Sequence, residues 1–222
     1  MTAGLSSLNA PGPHDGARVS TAGAPLDAAA GAVILLHGRG ATAASILGLA
    51  AELPAAGLAY LAPQASSNTW YPQRFLVPLE MNEPWLSSAL AAVGDLVAQL
   101  RRAGLGADRI ALLGFSQGAC LALEYAVRHP ARYGAIVGLS GGLIGPPGTV
   151  WPSPAELAGT PVFLGCGDPD GHIPAERVRE SAEVFRRAGS DVTAILYPGL
   201  GHTVGDDELD RTRELLMRMA RP

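Results

Sequence analysis

The chain has 222 residues, 48% of them hydrophobic and 16% charged, and a formal net charge of −4. This fits one enzyme-sized globular domain and excludes a disordered tail protein or a long coiled coil. All 16 basic residues are arginine, which excludes Schiff-base and P-loop lysine chemistry, and their dispersal argues against a nucleic-acid surface, which needs a basic stripe.

Residues 1–30 are rich in Ala, Gly, Pro and Ser and read as an N-terminal arm or edge hairpin ahead of a single domain over 31–222. Val33, Ile34, Leu35 and Leu36 then form a short apolar run that stops at His37-Gly38, as a strand buried on both faces does. Similar runs return at 58–62, 110–113, 135–139, 162–164 and 192–197, with helical patterns at 43–52, 85–103, 117–129, 175–188 and 205–220. Such alternation predicts an α/β fold: a mostly parallel central sheet with right-handed helical crossovers on both faces. Pro174 suits a first helical turn, while Arg186, Arg187 and Gly189 suit a helix end. Asp206, Asp207 and Glu208 similarly match the positive end of the last helix.

Cys120 and Cys166 are too few for a thiolate zinc site, and no CxxC or HExxH spacing occurs. No metal and no cofactor is therefore expected. Both thiols sit in apolar surroundings, where a buried free cysteine in a reducing cytoplasm is the simplest reading. The first residues lack the pattern of a secretory signal, and no stretch reaches the ~18 apolar residues of a membrane span. A soluble, cytoplasmic protein is the expectation.

An open α/β sheet gathers its ligands at the carboxyl ends of its strands. Four loops there carry reactive residues: 37–40, 114–118, 165–174 and 199–203. Gly114-Phe115-Ser116-Gln117-Gly118 has the GxSxG form of a nucleophile elbow, in which serine occupies a strained strand-to-helix turn. Gly138-Leu139-Ser140-Gly141-Gly142 has the same form. Ser116 lies between an apolar run and a helical one, whereas Ser140 precedes a Gly- and Pro-rich stretch that cannot continue as a helix. Ser116 is the candidate nucleophile, and Ser140 reads as part of a tight turn.

A serine hydroxyl needs a base. Of five histidines, His202 follows the last strand and fits the chain order Ser, acid, His; His172 is held in reserve. The acid belongs between them, and Gly167-Asp168-Pro169-Asp170-Gly171 offers two, with Asp168 also suited to bracing its own turn. The tetrahedral intermediate requires two backbone donors. Position nominates the amides of Gln117 and, in His37-Gly38-Arg39-Gly40, of Arg39.

VILLHGRG, GFSQGA, GCGDPDGHIP and YPGLGH together resemble the phospholipase/carboxylesterase family of α/β-hydrolases, which includes acyl-protein thioesterase-like proteins and bacterial carboxylesterases. The resemblance covers about residues 32–220. It implies an α/β-hydrolase fold, compact with no large cap domain, and a serine hydrolase acting on carboxylic esters, thioesters or lysophospholipids. By the family's pattern the acid is Asp170, four residues before Pro174, the base is His202, and the oxyanion donors are Arg39 and Gln117. Arg39 departs from the aliphatic residue that many members carry.

Residues 64–87 are too long and Pro-rich for a simple connection and contain Trp70, Tyr71, Phe75 and Trp85. These aromatics either form an acyl pocket or cover the core. Arg39 either favours an acidic substrate at the pocket mouth or pairs with Glu80 or Glu83 to fix the insertion. The expected partner is a small-molecule ester, with neither nucleic acid nor a membrane span involved. The insertion also offers a surface for a homodimer. The competing reading is a non-catalytic ligand-binding module on the same fold.

Overall fold

The computed structural model describes residue 5, residues 7–53 and residues 57–220. Residues 1–4 and 6 of the predicted arm, and the last two residues of the predicted domain, lie outside these.

Six strands run parallel: β2 (Gly31–Leu36), β3 (Leu58–Pro63), β4 (Ile110–Phe115), β5 (Ala135–Leu139), β6 (Pro161–Gly167) and β7 (Asp191–Tyr197). A seventh, β1 (Val19–Gly23), lies within the 1–30 segment and pairs antiparallel with β3 at the sheet edge. The spatial order is β1-β3-β2-β4-β5-β6-β7. It matches the predicted mostly parallel sheet, with one edge strand added by the β-branched Val19 and Thr21.

Period-two alternation sorts the core. Ala32, Ile34 and Leu36 of β2 face the layer of α3 (Trp85–Arg102), α4 (Gln117–Arg128) and α5 (Ala175–Arg187). Val33 and Leu35 face α1 (Ala43–Leu47) and α6 (Asp206–Met219) on the other side. The helix expected at 43–52 is two short ones, α1 and α2 (Leu49–Glu52), separated by Gly48, the weakest helix former in the run. Gly189, with φ of +79°, follows α5 as a left-handed stop, and three acids open α6.

In this order β2 lies between β3 and β4, so the crossovers reverse direction between β2 and β4. That reversal opens a crevice beyond their carboxyl ends, where the loop after β2 meets the turn after β4. Among the described residues, no helix is long and apolar enough to cross a membrane.

Candidate active site

The passage from β4 to α4 takes one residue. Ser116 stands between Phe115, the last strand residue, and Gln117, the first helical one, with φ 55° and ψ −121°. An L-residue adopts such angles only where its surroundings over-determine them. A side chain at Gly118 would collide with the Leu36 carbonyl, and one at Gly114 with the backbone of Gly118. Both glycines are thus required by close backbone approach.

Two loops bring the partners. Ser116 Oγ lies 2.9 Å from His202 Nε2, and His202 Nδ1 lies 2.7 Å from Asp170 Oδ2. An ionised carboxylate only accepts, so Nδ1 carries the ring proton and Nε2 is free to accept from the serine hydroxyl. Asp170 Oδ1 accepts from the amides of His172 at 2.8 Å and Ile173 at 3.1 Å. Burial raises the pKa of this carboxyl, but the bond from His202 and those two amides outweigh burial and hold it below the ordinary range. The Cys166 thiol approaches Asp170 Oδ2 at 3.6 Å, and burial pushes its pKa up to about 12, so it is a neutral neighbour.

The two acids separate cleanly. Asp168 Oδ1 accepts from Gly199 N at 2.9 Å and so ties the loop after β6 to the loop that carries His202. It braces that neighbouring loop, while Asp170 contacts the imidazole. His172 packs its ring 4.7 Å from that of His202 and is within the cleft, outside the Ser–His–Asp line.

On the opposite wall, the buried His37 is bonded at both nitrogens: Nδ1 lies 2.8 Å from Gly38 O, and Nε2 accepts from Ala65 N at 3.1 Å. Its tautomer therefore carries the proton on Nδ1. Gly38 O also accepts from Ala41 N at 3.1 Å. Because a trans peptide sets N–H opposite C=O, pinning this oxygen turns the Arg39 amide the other way. Gln117 is the first residue of α4, where amides have no intrahelical acceptor. Its side chain is engaged elsewhere: Oε1 accepts from Trp70 N at 2.9 Å and Nε2 donates to Tyr71 O at 2.7 Å.

The Arg39 guanidinium pairs with neither Glu80 nor Glu83. It donates to the carbonyls of Pro72 at 2.7 Å and Gln73 at 2.6 Å, while Glu83 accepts from Ser87. The insertion is fixed through its backbone, which presents acceptors without needing a carboxylate in register.

The cleft beside Ser116 has a volume of about 270 Å³. Tyr71 and Phe75 line it; Trp70 and Trp85 do not. Trp70 is fully buried because its indole N–H is spent on His37 O at 2.8 Å, and Trp85 meets His14 edge-on at 5.6 Å. The rings of Trp70, Tyr71 and Phe75 thus point inward. Arg74, Cys120 and Ile173 also line the cleft and escaped the sequence reading. Arg74 is the one cation in 64–87, which was the available signal. A larger depression of about 600 Å³ near Tyr125 and Tyr133 holds no nucleophile–base pair, so chemistry rather than volume picks out the site.

The family model described as Phospholipase/Carboxylesterase matches residues 18–219. The chain belongs to that family. A phospholipase/carboxylesterase crystal structure from Dyadobacter fermentans is 41% identical, with a TM-score of 0.86, over 90% of this chain and 96% of that one. The crystal structure of esterase PE8 is 26% identical with a TM-score of 0.71, covering 91% and 99%. Acyl-protein thioesterase 1 of Gibberella zeae is 34% identical over 58% of this chain and 55% of its own length. The chain spans about half the length of the curated relatives it matches. The likeness to solved structures covers nearly the whole fold, and with it the α/β-hydrolase class.

Proposed function

We propose that the protein is a serine hydrolase that cleaves carboxylic esters through an acyl-enzyme. The observation that carries this reading is the unbroken line from Asp170 through His202 to Ser116, at 2.7 and 2.9 Å. Ser116 Oγ attacks the ester carbonyl carbon as its proton passes to His202 Nε2. Asp170 stabilises the imidazolium so formed. The Arg39 and Gln117 amides receive the oxyanion. Collapse breaks the bond to the alkoxide, which leaves with the proton from His202. A water molecule then attacks the acyl-enzyme as its proton passes to His202 Nε2, and collapse releases the acid while that proton returns to Ser116 Oγ.

The cleft volume favours a short acyl group, and thioesters and lysophospholipid-type esters share the carbonyl chemistry. Residues 31–222, joined at the sheet edge by β1 of the preceding segment, act as one catalytic domain, cytoplasmic in location, with a small-molecule ester as partner.

A fluorophosphonate probe tests the reading. Labelling of the wild type but not of Ser116→Ala, with turnover of short p-nitrophenyl esters, is the expected result. Absence of both labelling and turnover in the folded protein favours the non-catalytic binding module instead.

A further inference from the structure

The charge of the cleft runs against that of the chain. The protein carries a net −4, yet the cleft beside Ser116 is lined by two arginines, Arg39 and Arg74, and by no carboxylate. Neither cation has an ion-pair partner among the described residues. Arg39 donates to the carbonyls of Pro72 and Gln73, which fix its position and leave its charge intact. Arg74 makes no ion pair among the described residues. On α5 and α6 the pattern is the reverse: Arg179 and Arg211 each hold a carboxylate three or four residues away.

Uncompensated positive charge on the wall of a concave cleft focuses its field on whatever occupies it, even where solvent partly screens it. We propose that Arg39 and Arg74 select short esters that bear a carboxylate. Arg39 is the fixed cation, and Arg74, exposed and unpaired, turns to meet the anion in the forked geometry that guanidinium and carboxylate share. The volume of about 270 Å³ lies below the usual range for drug-sized ligands, which limits the acyl chain. This proposal rests on the hydrolase reading above for the identity of the reacting bond.

The experiment compares matched pairs at low ionic strength: monomethyl against dimethyl succinate, with the charge on the acyl side, and acetoxyacetate against ethyl acetate, with the charge on the alcohol side. The expected result is kcat/KM about tenfold higher for the anionic member of one pair. That preference falls to parity in Arg74→Ala, is partly restored in Arg74→Lys, and shrinks in about 1 M salt, where the Debye length is about 3 Å. Parity in the wild type for both pairs, while neutral esters turn over, overturns the proposal and leaves the hydrolase reading standing. If no ester is hydrolysed, the hydrolase reading fails and calorimetric titration of Ser116→Ala with the same compounds decides the anion preference. About tenfold tighter binding of an anionic member supports it, and equal affinities overturn it.

Discussion

Two segments of this chain share the form GxSxG, and only one of them builds a site. They leave adjacent parallel strands, β4 and β5, and both serines have positive φ, 55° at Ser116 and 50° at Ser140. After Ser116 the chain enters α4, so the hydroxyl stands at a helix start in the cleft, next to amides that lack intrahelical acceptors. After Ser140 come two glycines and no helix, and the serine is fully buried, its Oγ beside the Cys166 thiol and without an oxygen or nitrogen partner among the described residues. The second turn backs the first helix instead: Gly142 N donates to Cys120 Sγ at 3.5 Å. The comparison teaches that a nucleophile elbow is defined by the element that follows the strained serine, more than by the strain itself.

The largest expected effect tests that directly. Ser116→Ala should lower kcat on a short ester by about 10³- to 10⁶-fold, since the oxyanion donors and binding alone retain part of the rate enhancement. The urea midpoint should hardly move, because only one hydroxyl is removed. A variant that keeps more than about a tenth of wild-type activity would reverse the assignment of the two turns.

Next in size is the backbone crossing that only the first turn needs to sit where it does. Gly118→Ala places a methyl group against the Leu36 carbonyl, which belongs to the middle of the sheet and cannot swing aside. A loss of about 3 kcal/mol in urea unfolding is expected. A change under about 0.5 kcal/mol would mean that α4 can shift away from β2 freely, and the tight elbow would lose its structural cause.

A smaller effect is the pH dependence of the buried histidines on the Ser116 side of the sheet. The Ser116 turn packs under the His37-Gly38 backbone, and burial holds the pKa of His37 below 6.5, opposed by its bond to Gly38 O. His14, bonded to Trp70 O at 2.9 Å and to Ser66 N at 3.1 Å, is lowered in the same way. A histidine whose folded pKa is depressed gives its full contribution above the unfolded value of 6.5. Below it the unfolded chain binds the extra proton, and stability falls until the folded value is passed. Thermal midpoints should therefore decline as pH drops from 7.5 towards 5.5 in this region, and the slope should flatten in His14→Gln. An unchanged slope would show that the histidine is not the group being titrated.

The strands, helices and reactive residues were legible because each rests on local chemistry. Continuous apolar runs mark doubly buried strands, Pro174 and Gly189 mark helix ends, and the elbow declares itself by pattern and context. Four features were legible only in part, because they depend on contacts across long sequence separations. β1 is specified by pairing with β3, about forty residues away. Trp70 reads from sequence equally as a pocket wall or as core cover, because the anchor that decides it, His37 O, lies 33 residues upstream. Arg39 satisfies carbonyls, and a carbonyl acceptor leaves no trace in residue type, so a search for Glu80 or Glu83 could not find it. The choice between Asp168 and Asp170 was open on spacing alone for the same reason: both are acids after β6, and only the distant amide of Gly199 and the distant imidazole of His202 tell them apart.

The smallest effect is the sharpest test of the opening contrast. Ser140→Ala keeps the Cβ and so leaves the strain at φ 50° as it was, while removing a buried hydroxyl that meets the weakly bonding Cys166 thiol and no oxygen or nitrogen partner among the described residues. Burying an unsatisfied polar group costs about 1–3 kcal/mol and a thiol satisfies one only weakly, so its removal should leave stability unchanged or raise it by about 1 kcal/mol, with kcat/KM within about twofold of wild type. Urea unfolding and ester kinetics on one preparation measure both. A loss of about 2 kcal/mol would show that the contact with the Cys166 thiol holds the turn firmly, and a hundredfold fall in activity would draw the second turn into the site. Either outcome would make the two GxSxG segments functional relatives, joined through the backbone of α4, in place of a nucleophile and its support.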